Sequence, residues 1–398
     1  MAVLLAALFC FAVLTLWVDA WWPVTVFQVG VFVVAAASLL RSRKAIAFTY
    51  PMAALSLAVT FGLVQCLIGH TENSYETRMA TVRWATYLAV FLAGYLLLGE
   101  SHQRRRFRGA MLWFAFLTAL LATVQTFTSG GRVFWMFPSG YSDFVMGPFL
   151  SQNHHAAFIE VVLPFALLGA FRNLRSSLLP AILAAAMYAS VIASASRAGV
   201  VLTTLEIVVV AALVRTRSGA SACLAGGALL RIAALFAVFT VVVGWEPVWT
   251  RLTAPDPMRV RQELALSSVR MIAEHPAFGV GLGAWPSAYP RYALVDLGAY
   301  VNQAHNDWLQ WTAEGGLPFG LLVASLFLWC LRPAFRSIWG LGAVAVFLHA
   351  LVDYPFSRPA LGSWTILVLA MLAARERHAA DSRPEANVSA HVRTDSGV

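Results

Sequence analysis

Charge is what this sequence has least of. Only 12% of its 398 residues are Asp, Glu, Lys or Arg, and 60% are hydrophobic. A soluble domain carries about 25% charged residues. Half that complement leaves too little polar surface to coat a water-soluble globule, so lipid has to be the solvent for most of the chain. Cysteine is scarce as well. Cys10, Cys66, Cys223 and Cys330 show no CxxC spacing, so neither a zinc site nor a disulfide framework is expected. The sequence also lacks an HExxH run and any internal repeat visible by eye. The first apolar stretch, Met1 to Val18, has no basic lead-in and reads as an uncleaved first span rather than a signal peptide.

Long apolar runs are plentiful. A span needs about 20 apolar residues, and such runs fall near 2–18, 21–40, 45–69, 81–99, 109–129, 153–171, 178–195, 198–214, 230–245, 316–331, 337–352 and 360–374. The expected fold is therefore all-α, a polytopic transmembrane bundle of about twelve spans over residues 1–374. The net charge of +9 does not point to nucleic acid, because the arginines are gathered between the apolar runs. The clusters are Arg41/Arg43/Lys44, Arg104 to Arg108, Arg172/Arg175, Arg215/Arg217/Arg231, Arg332/Arg336 and the tail from Arg375. Each follows an even-numbered span, which sets one face, and both termini, in the cytoplasm. Arg78, Arg83, Arg197, Arg261 and Arg358 are among those that break this rule. The segment 375–398 is polar and aperiodic and reads as a disordered cytoplasmic tail.

The loop 246–315 is long and lies on the opposite, outward side, where long ordered loops usually carry function. Residues 258–275 within it read as an amphipathic helix at the membrane surface, stopped by Pro276. Gly279, Gly281 and Gly283 alternate in the next stretch, but no strand precedes them, so a dinucleotide site is not expected. Trp285, Tyr289, Tyr292 and Tyr300 suit an interface belt or stacking on sugar rings. The segment Val301–Trp311 then concentrates polar groups ahead of a span. In it His305 has the chemistry of a general base near neutral pH, and the competing reading is a helix cap.

Three further features fall at the same outward depth. Ser196-Arg197-Ala198-Gly199 places an arginine at a membrane boundary, where it needs a partner or an aqueous cavity. Gln152-Asn153-His154-His155 opens a span and is followed by Glu160 and Pro164. His349 and Asp353 stand at i, i+4 before Pro355. Polar residues from separate spans at one depth indicate a shared cavity.

These strings resemble the O-antigen ligase and polymerase superfamily. The resemblance is carried by His275-Pro276-Ala277-Phe278-Gly279-Val280-Gly281-Leu282-Gly283, Ala304-His305-Asn306-Asp307-Trp308-Leu309-Gln310 and Glu314-Gly315-Gly316-Leu317. Ser151-Gln152-Asn153-His154, Ser196-Arg197-Ala198-Gly199 and His349-Ala350-Leu351-Val352-Asp353-Tyr354-Pro355 add to it, so it covers about residues 150–360. Relatives often have a tryptophan four residues after the arginine that starts the loop helix; here Arg261 is followed by Gln262, Glu263, Leu264 and Ala265.

The resemblance implies a multi-pass glycosyltransferase of the bacterial inner membrane, independent of metal and of other cofactors. Its partners would be an undecaprenyl-diphosphate-linked glycan donor, a lipid A-core or glycan acceptor at the periplasmic face, and the bilayer itself, with no nucleic acid. Loss of diphosphate builds negative charge that arginines can hold. Arg197 and Arg261 are the expected clamp, assisted by Arg259 or Arg270. His305 would activate the acceptor, Asn306 would hold it, and Asn153, His154, Gln303 and Asp353 would line the substrate site. Two rivals stand beside this reading. A flippase for lipid-linked anions would call for an inverted repeat and broken helices. A metal-dependent enzyme would use His154, His155, His305, Asp307, His349 or Asp353.

Overall fold

A computed structural model describes residues 1–42, 47–140, 145–172, 178–218, 258–296 and 300–381, with a few isolated positions between them. The helices are α1 Ala2–Leu14, α2 Trp21–Arg41, α3 Tyr50–Ile68, α4 Ser74–Leu97, α5 Ser101–Thr128, α6 Gln152–Arg172, α7 Leu178–Ser194, α8 Arg197–Ser218, α9 Met258–Glu274, α10 Trp285–Tyr292, α11 Asp307–Ser337, α12 Leu341–His349 and α13 Pro359–Asp381. The expected all-α bundle is what forms. Seven of the described helices are long and apolar enough to cross a membrane, and α1 and α7 are shorter apolar helices. The span expected at 230–245, Cys223 and the tail from residue 382 lie outside the described residues.

The bundle turns apolar side chains outward as well as inward. Leu40 is 89% exposed, Leu67 84% and Leu321 69%, a surface that suits hydrocarbon and not water. Inside, small residues let the helices approach closely, as in membrane bundles generally. Gly94 of α4 faces Leu367 and Ala370 of α13, and Gly199 of α8 faces Ala156 of α6. A Cβ on Gly199 would stand 2.4 Å from that of Ala156, so only glycine permits this crossing.

Element ends follow local chemistry. The Asn73 side chain accepts hydrogen bonds from the Tyr75 and Glu76 amides at 3.1 and 3.3 Å, capping α4. That cap starts the helix seven residues earlier than the apolar run near 81, so Arg78 lies within α4 rather than in a loop, and Arg83 lies further along the same helix. α11 is broken at Gly316, whose backbone is φ 69°, ψ −177°; the break coincides with the expected start of a span at 316. α13 continues through Asp381, seven residues beyond the boundary expected at 374. Between α5 and α6 a small hairpin pairs Arg132–Val133 with Phe137–Pro138, which no sequence pattern announced.

The segment 258–296 builds its own small core against the bundle. Leu264, Met271, Trp285, Tyr289 and Tyr292 are buried together. Glu263 binds this core by accepting from Ser267 Oγ at 2.9 Å, the Leu294 amide at 2.9 Å and the Tyr289 hydroxyl at 2.5 Å. Trp285 donates to Ser268 Oγ at 3.0 Å and stacks on Tyr289. These three aromatics are therefore packing residues, not an interface belt or a sugar platform. Of the four, Tyr300 alone stays out in solvent.

Candidate active site

The stretch Pro276 to Gly283 is the hinge between this loop core and the bundle. Gly279, Gly281 and Gly283 all have positive φ, at 66°, 107° and 75°, a region that favours glycine. Their backbones are pressed against the Gly316 break and the α3–α4 turn. A Cβ on Gly279 would meet the Glu314 carbonyl at 2.4 Å, and one on Gly281 the Thr71 hydroxyl at 2.1 Å. Hydrogen bonds from Val280 N to Ala313 O, Gly281 N to Glu314 O and Leu317 N to Pro276 O close the joint. Gln65 of α3 locks it from below. Its amide donates to Phe278 O and Glu314 O at 2.7 and 3.0 Å, and its carbonyl accepts from Leu282 N at 2.9 Å. Nothing in the sequence around Gln65 singled it out; a lone glutamine in an apolar run was the available signal.

This joint aims the start of α11 at the ends of α6, α12 and α13. Asn306 is the α11 cap, its Oδ1 accepting from Leu309 N at 3.0 Å, which leaves its Nδ2 for other partners. Asp307 is fully buried and accepts from the Phe356 amide at 2.8 Å and the Ser357 hydroxyl at 3.0 Å. It thus fixes the turn 353–357 against the start of α11, which His305 immediately precedes. His305 itself takes a left-handed backbone, φ 52°, unusual for a residue with a Cβ and common where function dictates geometry.

Asp353 is the centre of the site. Its Oδ1 lies 3.4 Å from His305 Nδ1 and its Oδ2 3.8 Å from His154 Nε2. The carboxylate is almost wholly buried, while His305 is 36% exposed. The Tyr354 ring meets both imidazoles edge to face, with centroids 4.9 Å apart in each case. Burial acts to raise the Asp353 pKa, but the adjacent His305, His154 and His349 outweigh it and hold it below the ordinary carboxylate value. A buried anion behind a half-exposed imidazole fixes the ring's orientation.

The pairing of His349 differs from the i, i+4 expectation. α12 ends at His349, so Asp353 lies in the following turn rather than on the same helix. His349 Nδ1 instead meets Glu160 Oε1 of α6 at 2.7 Å, both fully buried. Asn153 and Ser196 join the two upstream motifs, since Ser196 donates to Asn153 Oδ1 at 2.7 Å. Arg197, next in the chain, is exposed at the start of α8. Arg261 is half-buried on α9, close enough for its charge to act on His349. Arg270 points to solvent. Arg259 belongs to α9, but its side chain lies outside the described residues. Gln303 holds a buried Oε1 with no hydrogen-bond partner. His155 bonds Ser190 within the bundle at 3.1 Å.

Arg358 is the addition that the sequence did not single out for the site. Its guanidinium lies 5.8 Å from the Tyr354 ring centroid. With His154, Tyr354, Ser151, Asn302, Trp17 and Asp19 it lines a cavity of about 290 Å³. The available signal was its breach of the positive-inside pattern. Among the described residues, no group of three or more His, Cys, Asp or Glu side chains is arranged so that it could hold a metal ion.

A helical bundle with an apolar surface, and a histidine–carboxylate pair and a cationic cavity at one end, is the architecture of a multi-pass membrane protein. The family comparison makes this particular. Residues 180–324 match the family model described as O-antigen ligase, a match that supports membership of the O-antigen ligase and polymerase superfamily. No curated protein matches the chain significantly. The matched segment contains Arg197, Arg261 and His305, whereas His154, Asp353 and Arg358 complete the site from outside it.

Proposed function

We propose that this protein moves a glycan from undecaprenyl diphosphate to a lipid A-core acceptor at the periplasmic end of the bundle. The observation that carries the reading is the His305–Asp353 pair, set beside a cavity whose wall includes Arg358. In the step, the acceptor hydroxyl oxygen attacks the anomeric carbon and its proton passes to His305. The bond between that carbon and the diphosphate oxygen breaks, and the diphosphate leaves with the electron pair. Asp353 stabilises the imidazolium that forms. Arg358 joins Arg197 and Arg261 as the cations that receive the diphosphate, because the guanidinium fork matches phosphate oxygens. His154 and Tyr354 hold the His305–Asp353 pair in register, Asn153 does so through Ser196, and Asn306 and Gln303 line the acceptor side. Residues 150–360 form the catalytic core in this reading, and 246–315 its periplasmic loop.

A polymerase using a second lipid-linked repeat as acceptor would employ the same groups. Deleting the gene and resolving the glycans on gels separates the two: unligated lipid-linked polymer marks a ligase, and single-repeat products mark a polymerase. The reading as a whole is tested by His305→Ala in membranes. It should abolish transfer while the protein still inserts, and normal transfer by a well-inserted variant would overturn it.

A further inference from the structure

The end of the bundle away from His305 holds a larger cavity, about 710 Å³, that the transfer reaction does not use. Six arginines line it: Arg104, Arg105, Arg108, Arg217, Arg336 and Arg375. They come from α5, α8, α11 and α13, and no carboxylate is among the described residues that line it. Glu376, beside the rim, pairs with Arg336 at 3.4 Å.

Orientation in the membrane requires basic residues on one face, but it does not require them to converge or to be held still. Here they are held. Arg104 donates to the Leu98 and Gly99 carbonyls at 3.0 and 2.7 Å, and Arg217 to those of Phe335 and Arg336 at 2.6 and 3.3 Å. Arg375 bonds the Ser337 hydroxyl. Arg108 lies over the Trp339 ring at 4.8 Å. The remaining wall is apolar, formed by Leu112, Phe165, Leu168 and Val214 among others. The first turn of α5 adds Ser101 and the positive end of a helix dipole.

We infer that this cavity binds the headgroup of a multiply charged anionic phospholipid, phosphates on the arginines and acyl chains along the apolar wall. Basic pockets between helices at a membrane surface select such headgroups. Six guanidinium groups exceed what one phosphate needs, which favours a headgroup with two. A soluble diphosphate would satisfy the arginines but leave the apolar wall without a partner.

The test uses the full-length protein, delipidated in mild detergent and mixed with equimolar cardiolipin and phosphatidylcholine. Retained lipid is read by native mass spectrometry. Cardiolipin should be retained at least about tenfold over phosphatidylcholine. Arg105→Gln with Arg108→Gln should weaken that retention about 30-fold, from about 1 kcal/mol per arginine. If the double variant is not monodisperse, Arg105→Gln alone, on an exposed side chain, should weaken it about fivefold. Equal retention of the two lipids, or unchanged preference in the variants, would overturn the inference. Displacement of cardiolipin by inorganic diphosphate at matching concentration would overturn it too, in favour of a soluble anion.

Discussion

The two ends of this bundle use arginine and polar groups in opposite ways. At the basic end six guanidinium groups surround one cavity, with no carboxylate among the described residues of its lining. At the loop end Arg358 shares a smaller cavity with His154 and Tyr354, and the buried Asp353 stands behind them. A charge surplus can hold an anion but has no group to move a proton. A carboxylate-backed imidazole beside a cation has both. On the proposed reading, the chemistry belongs to the loop end and only binding to the other.

The largest way to break this comparison is to remove the base. His305→Ala should lower transfer by about 10²–10⁴-fold, the usual contribution of a positioned general base, in a membrane assay with inserted protein quantified. Next in size, Arg358→Ala should cut transfer about 10²-fold, with Arg358→Lys recovering only part, because a point charge lacks the fork. A full rescue by lysine would show that Arg358 supplies charge alone.

The joint that aims His305 offers a structural break. Gln65→Leu leaves the Phe278 and Glu314 carbonyls and the Leu282 amide without their partner. Each stranded group costs about 1–3 kcal/mol, so the melting temperature in detergent should fall clearly, with transfer falling alongside. Gly281→Ala should do the same through a strained φ and a clash with Thr71.

A smaller effect concerns pH. Asp353 has a lowered pKa in the folded protein, so its contribution to stability is fully present above the unfolded value of about 3.9. It is lost as pH falls through the lower folded value. The stability difference between wild type and Asp353→Asn should therefore stay constant from about pH 7 to pH 5 and shrink below about pH 4. Smallest of all, Arg105→Gln at the far end should leave transfer unchanged, and a large loss there would blur the distinction between the two ends.

Much of the fold was legible because membrane burial writes itself into long apolar runs. The helix breaks were legible where a residue forces them, as at Gly316. The early start of α4 was not, since its first turns carry Glu76 and Arg78 and only the Asn73 cap betrays them. At the site, motif spacing brought forward His154, His305 and Asp353, and their convergence needs three distant helix ends to meet. His349 shows the limit. Its spacing to Asp353 suggested a helical pair, but α12 ends at His349, four residues short of Asp353, and Glu160, 189 positions away, takes the imidazole. The aromatics of α10 looked like a binding surface because sequence alone does not say which side of a short loop helix is covered.

The most direct test of the central claim is a double-mutant cycle on transfer with His305→Ala, Asp353→Asn and the two combined, each with insertion verified. If Asp353 acts through His305, its loss adds nothing once the imidazole is gone, and the double variant should transfer at the His305→Ala rate. Multiplicative losses in the double variant would mean that the two residues act independently, and would contradict the account.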